Sequence, residues 1–280
     1  MPLYVYARLF FSWGFTVRPP GLSAGGPSLP VPPPSTIVGA LARGLAAALG
    51  WPEVLLEAPA RRGALVYSQA YRLARHLLGV GAALLAPVAL HRDVVRYSTL
   101  PYQTPGNIRN PGQWFGAQNF GVALSPAGEA VFVAVFSDNV RDEGVTPEAL
   151  AAAAAGIERL GARESVVHVA EAWAGEAGEA RGGWTTLYAP EEAVESAGGC
   201  RYSQVTAWDP RSPRAYTRSD PFTLPELRLA VPLAPAGAPS VYLPPPSGCR
   251  LHLRSDWPAY TGDWPGDLGV VAALPRGVSG

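Results

Sequence analysis

The chain has 280 residues with 22 basic and 22 acidic side chains, so its formal charge is zero and no general affinity for polyanions is expected. All 22 basic residues are arginine, which excludes a P-loop lysine, a Schiff-base lysine and a lysine general base. The longest apolar run, residues 77–90, holds 14 residues including Gly79, Gly81 and Pro87, too short to span a bilayer.

Met1-Pro2 leads directly into Leu3-Tyr4-Val5-Tyr6 with no basic n-region or cleavage site, which predicts a cytoplasmic protein without a membrane partner. Residues 3–13 are rich in aromatic and β-branched types and predict a first strand. A Gly/Pro/Ser loop follows over 14–34. It contains Gly21-Leu22-Ser23-Ala24-Gly25, a formal nucleophile-elbow pattern. That motif needs a strand before it and a helix after it; the flanking Pro19-Pro20 and Gly26-Pro27 argue against a catalytic Ser23.

Pro30, Pro32, Pro33 and Pro34 make a stiff extended lead-in to a helix over 35–49. Ser35 or Thr36 is the expected N-cap, and Gly50 with Trp51-Pro52 the stop. Ile37, Val38, Leu41, Ala42, Leu45, Ala48 and Leu49 share one face, with Gly39 and Arg43 opposite. A glycine inside a helix costs about 1 kcal/mol against alanine, so Gly39 suggests that another backbone approaches there. A free helix N-terminus, a bald patch and an arginine make a candidate phosphate site; the simpler reading is a packed amphipathic helix.

Residues 64–77 predict a second short helix carrying Arg72 and Arg75, and residues 80–90 predict strand. From 61 to 118 seven arginines face a single acid, Asp93, a local +6; from 138 to 195 twelve acids face four arginines, a local −8. A basic surface and an acidic one are therefore expected. Residues 91–120 form an arm rich in arginines, amides and aromatics, with Gly and Pro breaking its middle. Arginine supplies charge for phosphate and aromatic rings supply stacking planes, the combination that binds single-stranded nucleic acid. A merely solvated loop is the alternative.

Residues 120–124 and 130–136 predict a hairpin. Thr146-Pro147-Glu148 opens a helix that runs to Leu160 and ends at Gly161. Residues 164–173 predict a strand. The order strand, helix, strand, hairpin, helix, strand matches an α+β, ferredoxin-like (RRM-like) βαββαβ unit over 1–173 with an inserted thumb arm at about 91–120. Residues 174–280, with short runs at 205–208, 227–233, 241–243, 251–253 and 270–274, predict a small β-rich C-terminal appendage. Cys200 and Cys249 either pair or remain two buried thiols, and a reducing cytoplasm favours the second. His76, His91, His168 and His252 lack metal-ligand spacing, and no catalytic group, metal or cofactor is expected.

Three stretches together resemble the CRISPR-associated Cas-five family of the RAMP superfamily. They are Phe11-Ser12-Trp13-Gly14-Phe15 continuing to Arg18 and Pro19; Pro32-Pro33-Pro34-Ser35-Thr36-Ile37-Val38-Gly39-Ala40-Leu41; and Gly156-Ile157-Glu158-Arg159-Leu160-Gly161-Ala162-Arg163-Glu164-Ser165. The archaeal type I-A branch is the most similar. The resemblance implies a noncatalytic subunit of a Cascade-type complex that caps the 5′ repeat-derived tag of CRISPR RNA. Its implied partners are that RNA, a backbone subunit of the Cas-seven family, a large subunit of the Cas-eight family, a small subunit, and target DNA through the complex. On this reading the arm is the family's thumb, with Arg92, Arg96, Tyr97, Arg109, Gln118 and Asn119 on the RNA; Arg18, Ser35, Arg43, Arg159 and Arg163 line the adjoining groove. Salt bridges to Glu158 and Glu164 are the alternative role for Arg159 and Arg163. One branch of the family, type I-C, cleaves precursor RNA with tyrosine, histidine and lysine. This chain has no lysine, so His91, Arg96 and Tyr97 would have to stand in for that trio in a metal-independent endoribonuclease. A standalone single-stranded RNA-binding module is the third possibility.

Overall fold

The computed structural model describes residues 1–20, 26–52, 54–60, 63–98, 115–162, 165–216, 225–236 and 240–275, with backbone alone for 54–60, 63–67, 93–98, 115–120 and 214–215. In chain order come β1 (Leu3–Phe11), β2 (Gly14–Phe15), α1 (Pro34–Leu49), β3 (Val54–Ala60), β4 (Gly63–Ser68), α2 (Ala70–Ala74), β5 (Leu77–Leu84), β6 (Val88–Ser98), β7 (Phe115–Leu124) and β8 (Glu129–Phe136). Then follow α3 (Pro147–Ala155), β9 (Val167–Glu176), β10 (Gly178–Thr185), β11 (Ala189–Pro190), β12 (Val194–Gly198), β13 (Ser203–Trp208), β14 (Glu226–Val231), β15 (Ala234–Pro235), β16 (Val241–Leu243), β17 (Arg250–Thr261) and β18 (Val271–Ala272).

Among these residues a central sheet has the order β5-β8-β1-β9, with every neighbouring pair antiparallel. Period-two alternation divides β1 between two cores. Leu3, Val5, Ala7, Leu9 and Phe11 pack under α1 and α3, while Tyr4 and Tyr6 face the opposite way. That second face is covered by Leu187, Tyr260, Trp264, Leu268 and Val271 from the C-terminal half of the chain. Two further sheets follow: β10-β17-β12, and β11-β14-β13, which sends Val205, Ala207, Leu227 and Leu229 into the core beneath α1; β15-β16-β6-β7-β2 forms the arm and its base.

Several expectations are corrected. Ser35 and Thr36 do not cap α1: the helix starts one residue earlier, Pro33 is the N-cap and makes no side-chain cap bond, and Pro34 takes the first turn, where its missing N–H costs nothing. Gly50 does end the helix, with φ 64°. The helix expected over 64–77 is instead β4 and the single turn α2, because the β-prone Val66-Tyr67-Ser68 pairs with β3. The 120–124/130–136 hairpin does not form. The chain turns at 125–128, where the Ser125 N–H donates to Trp13 O, and changes sheet: β7 joins β6 and β2, whereas β8, buried along nearly its whole length, goes between β1 and β5. Thr146 caps α3 by accepting from the Ala149 N–H at 3.2 Å, but the helix ends at Gly156 and the next strand starts at Val167. Ile157 and Leu160 turn into the core instead of continuing the helix.

Cys200 and Cys249 are a disulfide rather than two thiols, with Cα atoms 5.2 Å apart. All five C-terminal apolar runs carry strands (β13, β14, β16, β17 and β18). No helix among the described residues is long and apolar enough to cross a membrane. The Gly21–Gly25 pattern lies outside the described residues.

Candidate nucleic-acid interface

Ile37, Val38, Leu41 and Leu45 are fully buried on one side of α1, each burial contributing about 1.5–3 kcal/mol. The remaining sides leave Arg43 and Ala47 exposed. The close approach expected at Gly39 occurs at Gly44 instead. A Cβ on Gly44 would lie 2.8 Å from Ala153 Cα of α3, while a Cβ on Gly39 meets nothing within 4 Å. Where α1 and the segment after α3 diverge, an open cleft of about 190 Å³ is lined by Ala40, Arg43, Gly44, Ala47, Gly156, Ile157, Glu158 and Arg159. Arg43 and Arg159 are exposed, and neither forms an ion pair among the described residues, so the Arg159–Glu158 bridge considered from sequence is not made. The cleft offers two uncommitted guanidinium groups beside a single carboxylate.

The turn from 156 to 165 holds Arg159 in place. Leu160 is buried, its N–H donates to Ser165 O at 3.0 Å, and Gly161 takes φ 128°, a left-handed region that penalises any side chain. The turn also grips the loop after β2. Ala162 N–H donates to Thr16 O, and the buried Ser165 Oγ accepts from the Thr16 N–H, both at 3.0 Å. Val17 N–H donates to Ser28 Oγ at 3.2 Å. Arg18 follows directly and is exposed. Two of the sequence stretches singled out above thus meet through backbone bonds.

The remaining candidates fall elsewhere. Ser35 is half-buried in the first turn of α1, about 12 Å along the axis from Arg43, and does not line the cleft. Arg92, Arg96 and Tyr97 stand on β6 and Gln118 and Asn119 on β7, two strands paired from Ala89–Leu124 to Ser98–Phe115. The arm is therefore a two-stranded ribbon at its base. Its register separates the candidates: Arg92, Arg96 and Asn119 (opposite Val94) occupy one set of alternate positions, and Tyr97 and Gln118 (opposite Val95) the other. Arg109 and Arg163 lie outside the described residues. The ribbon base is anchored at Gly121, where a Cβ would lie 2.3 Å from Ser28 N, and Gly121 N–H donates to Gly26 O.

The local +6 charge is not one patch. Arg72 and Arg75 both pair with Glu143, and Arg72 lies 5.3 Å over the Trp51 ring. Tyr4 and Tyr6 lie buried on the sheet face opposite α1 and α3, so that surface is closed to stacked bases. Ala40, Gly44, Ala47 and Gly156 were missed as cleft residues. Their signal is the run of small side chains at helical spacing, 40, 44 and 47, which opens space beside Arg43.

No protein-family model matches the chain. Two proteins of Saccharolobus solfataricus, "CRISPR-associated protein Cas5 3" and "CRISPR system aCascade subunit Cas5 1", are each 26% identical to it over 208 residues, spanning 73% of this chain and 80% of theirs. A crystal structure of a CRISPR protein from Archaeoglobus fulgidus, 20% identical, shares the fold with a TM-score of 0.58 over 98% of this chain and 100% of its own. With the three sequence stretches now joined in one structure, the chain is similar to these Cas5 proteins over most of its length.

Proposed function

We propose that this chain is a noncatalytic subunit of a type I CRISPR RNA-guided effector complex, where it binds and caps the 5′ repeat-derived tag of the CRISPR RNA and bridges the backbone and large subunits. The observation that carries this reading is the convergence of Arg43 and Arg159 on one cleft, with the turn after Arg159 hydrogen-bonded to Thr16, two residues before the exposed Arg18. Two or three unpaired guanidinium groups beside small residues suit a phosphodiester backbone better than a compact metabolite. The order β9-β1-β8-β5, all antiparallel with α1 and α3 on one face, also supports a ferredoxin-like βαββαβ core, with the β6–β7 ribbon as its thumb.

The nuclease alternative is weakened by spacing. His91 and Tyr97 stand six residues apart on one extended strand, about 20 Å, too far to act on one scissile phosphate without a sharp rearrangement of β6.

The test is metal-free incubation of the purified chain with end-labelled repeat RNA, read on a sequencing gel and by filter binding. Binding without cleavage is expected, weakened about three- to tenfold in Arg43→Ala/Arg159→Ala, with a salt slope lower by about 1.4 for two lost single-strand phosphate contacts. Arg96→Ala and Arg109→Ala should act in the same direction. A single specific cut that is lost in Tyr97→Phe or His91→Ala would overturn the noncatalytic reading. Purification without partner proteins or RNA of uniform 5′ end would favour a standalone module.

A further inference from the structure

β17 presents Arg250, His252 and Arg254 at alternate positions, all exposed, with Leu251 and Leu253 between them buried. The three outward side chains therefore leave the strand about 6.7 Å apart. On the neighbouring strands Trp184 of β10 and Ser196 of β12 stand opposite His252, and Gly198 of β12 stands opposite Arg250. The Arg250 guanidinium lies 3.9 Å over the Trp184 ring, a cation–π contact that holds it there. His252 lies across Gly198: a Cβ there would come within 2.8 Å of Nε2, so the imidazole would have to shift to admit a side chain. Arg254 bonds Asp256 at 3.3 and 3.4 Å, and Arg250 has no ion pair among the described residues. The platform is also fixed, because the disulfide ties Cys249, one residue before Arg250, to Cys200 just after β12.

We propose that this outer face of the β10-β17-β12 sheet is a second surface for single-stranded nucleic acid, made of different residues from those of the Arg43–Arg159 cleft. One side of the exposed Arg250 guanidinium is taken by Trp184 and the other serves as a stacking plane for a base; His252 and Arg254, two and four residues on, take the phosphates beside it. An acidic protein is the competing occupant. An aromatic ring beside two guanidinium groups combines a stacking surface with charge for phosphate, which favours a nucleic acid.

The experiment uses the full chain and a fluorescein-labelled oligouridine of about 15 nucleotides, followed by anisotropy across a salt series and by ultraviolet crosslinking with peptide mapping. Arg250→Ala/Arg254→Ala should weaken binding about tenfold at low salt and lower the salt slope by about 0.7 for the one phosphate contact of Arg254, whether or not Arg43 and Arg159 are also replaced. Crosslinks should map to the tryptic peptides that contain Trp184 and His252. Unchanged affinity and slope in the double variant would overturn the proposal. So would displacement of the RNA by oligoglutamate at equal charge concentration, which would make this a face for acidic protein. Should the double variant fail to fold by circular dichroism, Arg254→Gln and the wild-type crosslink map decide alone, and a map without either peptide overturns it.

Discussion

Gly39 and Gly44, five residues apart on one helix, should respond to alanine in opposite directions. At Gly39 there is open space and ordinary helical backbone, so the substitution removes conformational freedom from the unfolded chain and should stabilise by about 0.5–1 kcal/mol. At Gly44 the added methyl meets Ala153 Cα at 2.8 Å and its Cβ and O at 2.9 Å, forcing α1 and α3 apart at a cost of about 1–3 kcal/mol. Urea unfolding of the two variants checks the pair; equal effects would mean that the helices do not cross at Gly44. The helical period in the sequence marks both glycines as costly, yet it cannot say which one another helix touches, because that depends on α3, more than a hundred residues away. The same limit applies to Ser165. It stood in a stretch of family resemblance, but its buried bond to the Thr16 N–H is a contact across 149 residues. A different residue-scale prediction concerns pH. Burial, and then the positive charge of Arg75, hold His76 below the usual histidine range despite the pull of Glu143. The folded chain therefore binds fewer protons here than the unfolded one, so this site's stability is complete above about pH 6.5 and declines as pH falls toward the folded value. His76→Gln should flatten that part of a Tm-against-pH curve, and an unaltered curve would remove His76 as the cause.

At the scale of elements, signals local to a few residues were legible and pairings were not. Thr146-Pro147-Glu148 announced α3, Gly50 announced the end of α1, and the short apolar runs near the C-terminus announced their strands, since each depends on neighbours within a turn. The 125–128 turn looked like a hairpin because two apolar runs flank it. What decides its geometry is that β8 is buried on both faces between β1 and β5, a matter of distant partners. The disulfide belongs with these non-local features, and compartment chemistry pointed the wrong way. It closes a 49-residue separation, for which chain-entropy reasoning gives about 4 kcal/mol and typical measurements 2–4 kcal/mol. Thiol titration of the denatured, unreduced protein should find no free thiol, and a reductant or Cys200→Ser/Cys249→Ser should lower Tm by several degrees. Two titratable thiols in the untreated protein would show that the staple is not formed.

At the scale of the whole molecule, the central sheet is enclosed from both sides by parts of the chain far apart in sequence. α1 and α3 cover one face; Leu187, Tyr260, Trp264, Leu268 and Val271 cover the other, over Tyr4, Tyr6, Val131, Val133 and Val135. The sheet's β5 edge is occupied too: Tyr188 N–H donates to Ala82 O and Leu274 N–H to Leu78 O, each at 2.8–2.9 Å. The base of the arm depends on the same half of the chain, because β16 pairs with β6 at Val88 and Ala89, and Leu90 N–H donates to Ser240 O. A fragment comprising residues 1–173 would therefore expose an aromatic and aliphatic sheet face, leave an edge strand unpaired and remove one strand from beside the ribbon. We expect it to aggregate, or to bind anilinonaphthalene sulfonate and unfold without a cooperative transition, while the full chain does neither. RNA binding by the fragment should fall as well, although the Arg43–Arg159 cleft lies wholly within it, because the core beneath both helices is no longer fixed. A soluble 1–173 fragment that unfolds cooperatively and keeps full RNA affinity would mean that the C-terminal half is an appendage to an independently folding domain. Failure of the fragment, rescued by co-expressing residues 174–280, would instead make the two halves one folding unit whose second part serves as the lid of the first.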